Sequence, residues 1–409
     1  MELYVVLLAG GQSSRFWPLE EKNLFTFFST PLIVYQVKRY SLFFKREKFQ
    51  PHFIIVCNEN NYGLIKKELT SFKLTTPQLV IQTLPDQSGA IISALKKTIK
   101  NLPILIVNNN DIFSETLITD FLKQIQANDL ILTATKVKSY FPGGYLVRDE
   151  QGKIKTIVEK PDSNLVPQPY NLFRFVFDYF SDKQALAKAL DKQDLSYEEA
   201  INSLLTRYET ALVLNDLPFT SLKYPWHVLE ATQIFLNNIK NSVVKTQEFD
   251  SSTQIVGNVF INEGVKIGSY TKIVGPTYIG KNTIIGDNCL VRNSHIGENC
   301  LIGAHSEVAR SYLGNQVLLH RNYIGDSVLS EQTSFGANAV TANYRFDEQK
   351  IQSIAKGEAE KVNTNLYKFG TITGSKVKVG VGACLMPGVK IQKNSLVSPN
   401  ETLYKDITK

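Results

Sequence analysis

Two periodicities of apolar residues divide this chain of 409 residues. In the first part, short apolar runs alternate with stretches of helical spacing. Residues 3–8, 53–57, 79–81 and 104–107 read as buried strands. Residues 31–44, with Leu32, Tyr35, Gln36, Arg39 and Tyr40 at helical intervals, read as a helix, as do 62–69 and 89–100. The alternation predicts an α/β fold, a mostly parallel sheet wound on both faces with ligands at the carboxyl ends of its strands. Residues 143–154 then read as two strands joined by a turn, followed by a further strand-like run at 157–161.

From Ile261 onward an aliphatic residue recurs at steps of six, at Ile267, Ile273, Ile279, Ile285 and Val291. After one five-residue step the series resumes at Ile296, Ile302 and Val308. It continues less regularly through Leu313, Ile324 and Phe335, and returns after a break at Val379, Leu385, Ile391, Val397 and Leu403. Neither a helix nor an antiparallel sheet has period six. A parallel β-helix does, because each short strand points one residue inward. The chain therefore divides into a domain at 1–225, a connecting helix and linker at 226–250 (Trp226, Leu229, Ile234, Phe235, Ile239), and a β-helix at 251–409. A polar loop at 345–370 interrupts the last; its Lys350, Lys361 and Lys368 either reach a ligand's phosphates or are solvated.

Composition narrows the partners. With 43% hydrophobic and 20% charged residues the chain is an ordinary globular protein, and its net charge of +7 is spread out. That favours anionic small molecules over nucleic acid. Cys57, Cys289, Cys300 and Cys384 have neither metal-ligand spacing nor a disulfide framework, so a reducing cytoplasm is expected. The first apolar run is too short for an export signal or a membrane span.

The chemistry begins at the first loop, Leu8-Ala9-Gly10-Gly11-Gln12-Ser13-Ser14-Arg15, directly after a strand. Paired glycines let a backbone approach a ligand, the serines keep that approach open, and Arg15 offers a positive fork, a combination suited to phosphate. Asp111, after the strand at 104–107, could hold a magnesium ion or merely cap the next helix. Glu159 and Lys160 suit a hydroxyl acceptor and a point charge, or a surface ion pair. His320 could act as a base or be a solvated surface residue.

The first loop with its Pro18-Leu19 and Lys22 resembles the signature of sugar-1-phosphate nucleotidyltransferases. That resemblance implies a Rossmann-like nucleotidyltransferase domain, with Leu8, Ala9, Gly10 and Gly11 on the nucleotide, Arg15 and Lys22 on its triphosphate, and Gln82 and Ser88 at the base. It also implies Asp111 on Mg2+, and Gly144, Glu159, Lys160 and Asn171 around the sugar phosphate. This chain departs from the pattern at Gln87 and Asn110, where glycine is usual, and at Ser221 and His227, where acidic or amide residues are usual. Residues 319–326 and 336–344, with Arg345-Phe346-Asp347-Glu348, are similar to the acetyltransferase half of the bifunctional N-acetylglucosamine-1-phosphate uridylyltransferase and glucosamine-1-phosphate acetyltransferase family. From this follow a left-handed β-helix, a homotrimer with acyl-transfer sites between subunits, and acetyl-CoA as donor. His320 would be the base; Tyr323, Asn343 and Tyr344 would hold sugar and intermediate, Ala337 would line the CoA channel, and Arg310, in a stretch where the family has a lysine pair, would meet the sugar phosphate.

Four functions are compatible with these residues. The first is a bifunctional enzyme of UDP-N-acetylglucosamine synthesis that takes a sugar 1-phosphate, a nucleoside triphosphate and acetyl-CoA. The others are a nucleotidyltransferase with a regulatory β-helix, an acetyltransferase with a degenerate first domain, and a non-catalytic scaffold subunit. The first leads; His320 with Asn343 and Tyr344 speaks against the second, and Ser221 with the short run to Lys22 favours the third.

Overall fold

The computed structural model describes residues 1–191, 196–246, 248–249, 251–356 and 361–408. The chain forms two compact units: Met1–Gln12 with Pro31–Phe219, and Ser13–Thr30 with Thr220–Lys409.

The first unit is built on a nine-stranded sheet. Glu2–Leu8 lies in its centre, parallel to Gln50–Cys57 on one side and to Ile104–Asn108 on the other. Both faces of this strand are covered, so it reads as an unbroken apolar run, and Leu3 to Leu7 are buried almost completely. Leu172–Phe180 runs antiparallel between Ile104–Asn108 and the hairpin of Gly144–Arg148 with Ile154–Glu159. The run expected at 157–161 is thus the end of the hairpin's second strand. The helix expected at 89–100 spans Asp86–Leu95 instead. Its end is capped by Thr98, whose hydroxyl donates to the Leu95 carbonyl at 2.6 Å.

The second unit contains three parallel sheets of eight, eight and seven short strands stacked coil on coil, the architecture of a left-handed parallel β-helix. Every residue of the six-step series is buried, and Leu319 and Leu329 complete the same core where the series was less regular. The irregularity has a geometric origin: Ile273 pairs with Val291, Val291 with Val308 and Val308 with Ile324, so successive coils shorten by a residue at a corner. Several corners place asparagine in the left-handed region, as at Asn282, Asn288, Asn293 and Asn299, where its short side chain tolerates positive φ. After Val340–Thr341 the chain leaves the coil. The excursion holds a small antiparallel hairpin, Gln352–Ile354 with Lys361–Asn363, and a bridge between Tyr344 and Lys368. Residues 357–360 of this loop lie outside the described residues.

The helix at His227–Leu236 and the segment Ser13–Thr30 also belong to this unit. Trp17 donates to Gln392, Lys393 pairs with Glu20 at 2.6 Å, and Tyr312 donates to the Thr26 carbonyl at 2.8 Å. His295 is sealed between the rings of Tyr278 and Tyr312 at centroid distances of 4.9 and 4.6 Å. Its Nε2 accepts from the Phe28 N–H at 3.1 Å, which requires the neutral ring, and burial pushes its pKa down to about 4. Among the described residues no helix is long and apolar enough to cross a membrane, and the four cysteines are free thiols.

Candidate active sites

The glycine loop starts where Glu2–Leu8 ends, at the carboxyl edge of the sheet. It is held by two asparagines that sequence reasoning missed. Asn58 Nδ2 donates to the Gly10 carbonyl at 3.0 Å and to that of Gly11 at 3.3 Å, and Asn61 Nδ2 donates to Ala9 O at 2.8 Å. The same two residues form the capping box of the helix Glu59–Ser71, so one polar pair starts a helix and shapes the loop. The signal was present as Asn58-x-x-Asn61 directly after a strand. Gln82 lies against Gly10 so closely that a Cβ there would stand 2.0 Å from its Oε1. Gly10 must therefore be glycine for Gln82 to reach the loop. Ser88 sits in the first turn of Asp86–Leu95, and a Cβ at neighbouring Gly89 would meet Leu84 O at 2.5 Å.

After Gln12 the loop passes into the second unit, which carries Arg15 and Lys22. Glu21 organises this stretch: its Oε1 accepts from Ser13 Oγ at 3.1 Å, and from the Asn23 N–H and Nδ2 at 3.0 and 2.7 Å. Ser221 is buried in this unit with an unpartnered hydroxyl, and its carbonyl lies 2.7 Å from His227 Nδ1. Burial pushes the His227 pKa down to about 4, so His227 is a neutral structural residue.

Asp111 is buried at the start of its short strand. Its Oδ1 accepts from Asn108 Nδ2 at 3.0 Å and its Oδ2 from the Val176 N–H at 3.2 Å. Neighbouring Asn110 has a buried amide oxygen without a partner. A carboxylate beside an unpaired amide oxygen is a hard-oxygen donor set, which fits magnesium when substrate phosphates complete it.

The hairpin places Glu159 directly opposite Gly144, and the pairing of Phe173 with Tyr145 brings Leu172–Phe180, with Asn171 just before it, alongside. Lys160 Nζ stands 3.9 Å from Glu159 Oε1, a loose and exposed pair. A Cβ on Gly144 would lie 3.3 Å from Glu159 Oε2 and 3.8 Å from Glu198 Cγ, so the glycine leaves room between two acidic side chains. Beneath them is a buried cluster that the sequence reading did not identify. Arg174 pairs with Asp178 and, at 3.2 Å, with Glu198, while Tyr197 donates to Asp178 at 3.0 Å. Burial raises the Asp178 pKa to about 7 against the pull of Arg174 and Tyr197. Its only sequence signal was two charges inside the apolar strand LFRFVFDYF.

In the β-helix, His320 is exposed on a corner between Leu318–Leu319 and Tyr323–Gly325. Its backbone N–H donates to Asn322 Oδ1 at 2.5 Å, and Asn322 Nδ2 donates to Gly336 O and Ala339 O at 2.8 Å each. Asn322, also missed, thereby ties the histidine corner to the one that carries Ala337. Tyr323 and Asn343 meet above Gly325: Asn343 Nδ2 donates to Tyr323 Oη at 3.2 Å, and a Cβ on Gly325 would lie 2.6 Å from that hydroxyl. Arg310 grips Asp326 with Nε and Nη2 at 2.7 and 2.6 Å. One coil below Glu307 and two below Tyr323, Arg292 pairs with Glu307 at 2.7 Å. Tyr344 stands exposed at the mouth of the long loop.

A glycine loop at the carboxyl edge of a largely parallel sheet, with an acidic strand end beside it, defines a nucleotide-handling α/β domain. Residues 4–217 match the family described as nucleotidyl transferase, and the chain belongs to that family. Residues 255–380 match the family described as GMPPB C-terminal domain. Over nearly its whole length the chain is similar to two archaeal proteins. One is the bifunctional protein GlmU of Methanococcus vannielii, 27% identical across 99% of this chain and 95% of that protein. The other is the bifunctional sugar-1-phosphate nucleotidylyltransferase/acetyltransferase of Sulfurisphaera tokodaii, 28% identical across 98% and 97%.

Proposed function

We propose that the chain is a bifunctional enzyme that acetylates glucosamine 1-phosphate from acetyl-CoA and transfers a nucleotidyl group from a nucleoside triphosphate to the sugar 1-phosphate. The observation that carries this reading is the meeting of Tyr323 and Asn343 over Gly325, on the coil that carries the His320 corner, in a chain that also has the glycine loop with Gln82 against Gly10. The similarity to two bifunctional proteins from end to end supports it.

In nucleotidyl transfer a phosphate oxygen of the sugar 1-phosphate attacks the α-phosphorus and pyrophosphate leaves. The chain's part is positioning and charge neutralisation. Backbone groups of Leu8 to Gly11 cradle the nucleotide, Gln82 and Ser88 address the base, and Arg15 and Lys22 are assigned to the triphosphate by their place in the motif. Gly144 and Glu159 receive the sugar hydroxyls, Lys160 its phosphate, and Asn171 the sugar ring. Asp111 with the Asn110 amide oxygen would hold Mg2+, which when bound neutralises developing charge on the phosphates. Ser221 adds no charge to that set.

In acetyl transfer the sugar amine attacks the thioester carbonyl, His320 removes the amine proton, and the CoA thiolate leaves and is protonated. Asn343, Tyr323 and Tyr344 hold the sugar and the intermediate, Ala337 faces CoA, and Arg310 meets the sugar phosphate. The same reading carries a homotrimer in a reducing cytoplasm.

Two assays on the purified protein test it: thiol release from acetyl-CoA with glucosamine 1-phosphate, and pyrophosphate release from UTP, magnesium and N-acetylglucosamine 1-phosphate. His320→Ala is expected to lower only the thiol signal, by roughly 10²- to 10⁴-fold, and Asp111→Ala only the pyrophosphate signal. Thiol release alone would make the first unit a relic or reveal another nucleotide. Silence in both assays would leave a scaffold.

A further inference from the structure

The corner that follows each strand of one β-helix face repeats on successive coils. Ala309 pairs with Gly325 and Tyr323 with Val340, so Arg310, Asp326 and Asn343 occupy the same corner on three consecutive coils. Asp326 is the middle rung, buried, with a left-handed backbone. Its Oδ1 accepts from Arg310 Nε at 2.7 Å, and its Oδ2 accepts both Arg310 Nη2 at 2.6 Å and Asn343 Nδ2 at 2.5 Å. A carboxylate gripped by a guanidinium on both oxygens presents only acceptors. The face of Asn343 turned toward Asp326 must therefore be its nitrogen. The second hydrogen of that nitrogen is directed at Tyr323 Oη. With both hydrogens engaged, the amide oxygen of Asn343 is left facing away from the ladder as a fixed acceptor.

We infer that Asp326 is a positioning residue of the acetyl-transfer site, orienting the Asn343 amide so that its oxygen accepts from an N–H of the sugar amine while the amine's lone pair points at the thioester. The inference rests on the acetyl-transfer reading and adds to it a residue that does not touch substrate. Arg310 serves as the pair of donors that fixes the Asp326 carboxylate in place. No atom is transferred through Asp326: the amine proton still leaves to His320.

Asp326→Asn tests this, because it keeps the shape but supplies a donor. The new amide cannot accept from Arg310 Nε, Arg310 Nη2 and Asn343 Nδ2 together: whichever way it turns, its nitrogen opposes at least one of these donors, so the hold on the Asn343 amide weakens. The kcat for thiol release is expected to fall roughly 10- to 100-fold, with KM for acetyl-CoA and pyrophosphate release unchanged. The double variant Asp326→Asn with Asn343→Asp restores a donor-to-acceptor contact inside the ladder and an outward oxygen, and is expected to regain most of the lost kcat. A merely structural ion pair would not give that rescue. If Asp326→Asn does not fold, shown by loss of pyrophosphate release too, Tyr323→Phe removes the other anchor of the same amide and should lower kcat about threefold or more. Wild-type kcat in Asp326→Asn, no rescue in the double variant, or wild-type kcat in Tyr323→Phe would overturn the inference alone. Absence of thiol release from the wild-type protein would overturn the acetyl-transfer reading itself and the inference with it.

Discussion

Beside the Gly144 hairpin, Arg174 and Asp178 are sealed inside the sheet unit, with Glu198 only slightly exposed. In the β-helix, Arg310, Asp326 and Asn343 stand on a corner outside a separate core of stacked aliphatic side chains. Both are networks of an arginine, a carboxylate and a neutral donor. They differ in what else rests on them. The sheet cluster fills interior volume, so removing one member leaves an uncompensated buried charge. The corner ladder sits on coils whose stability comes from one inward residue per strand, so it can change while the coil persists. Chemistry and stability are therefore coupled in the first unit and separable in the second.

The sharpest way to break that comparison is Arg174→Met. It strands Asp178 and Glu198 in the interior and should cost about 3–5 kcal/mol of stability, read from denaturant unfolding of the full chain, and take pyrophosphate release with it. Retained activity with a large stability loss would show that the cluster only fills space. On the β-helix side, the largest stability effect comes from pH. His295 has its pKa depressed from 6.5 to about 4, so its contribution is present above pH 6.5 and is lost as pH falls toward 4. The loss is about 3 kcal/mol, the unfolded ring taking up a proton that the buried one refuses. Unfolding midpoints measured from pH 7 to pH 4.5 should fall accordingly, and His295→Phe should remove about half of that slope, the equally depressed His227 carrying the rest. The corner then provides the complement: Asp326→Asn should move the unfolding midpoint little while lowering kcat as described above. The smallest effect sharpens the coupling in the first unit. Asn58→Ala removes a helix cap worth about 1 kcal/mol and also frees the carbonyls of Gly10 and Gly11. Thermal shift by UTP should shrink along with the basal melting temperature; an unchanged ligand shift would separate the cap from the loop.

Much of this was legible in residue order. The six-step series named the β-helix core because one inward side chain per strand is a local requirement, repeated regardless of what the corners carry. The glycine loop was legible because a buried strand followed by paired glycines has few other uses. Asn58, Asn61 and Asn322 were not singled out: each acts on backbone carbonyls or N–H groups whose position depends on how the strands pair. Arg174 and Asp178 are two charges in an apolar run, and their role shows only where Glu198 and Tyr197, from a later helix, close over them.

By itself the sequence determined the alternation of strands and helices, the stacked coils and the residue types available for each chemistry, since these follow from unbroken apolar runs and from periods of three to four and of six along the chain. Only the tertiary structure decided the rest. It assigned Ser13–Thr30, with Arg15 and Lys22, to the β-helix unit through partners more than two hundred residues away, such as Tyr312 and Lys393. It also aligned Arg310, Asp326 and Asn343, whose spacings of sixteen and seventeen residues match no fixed repeat because the coils differ in length. A period records what every coil must do; which side chains meet depends on the register that the whole stack adopts.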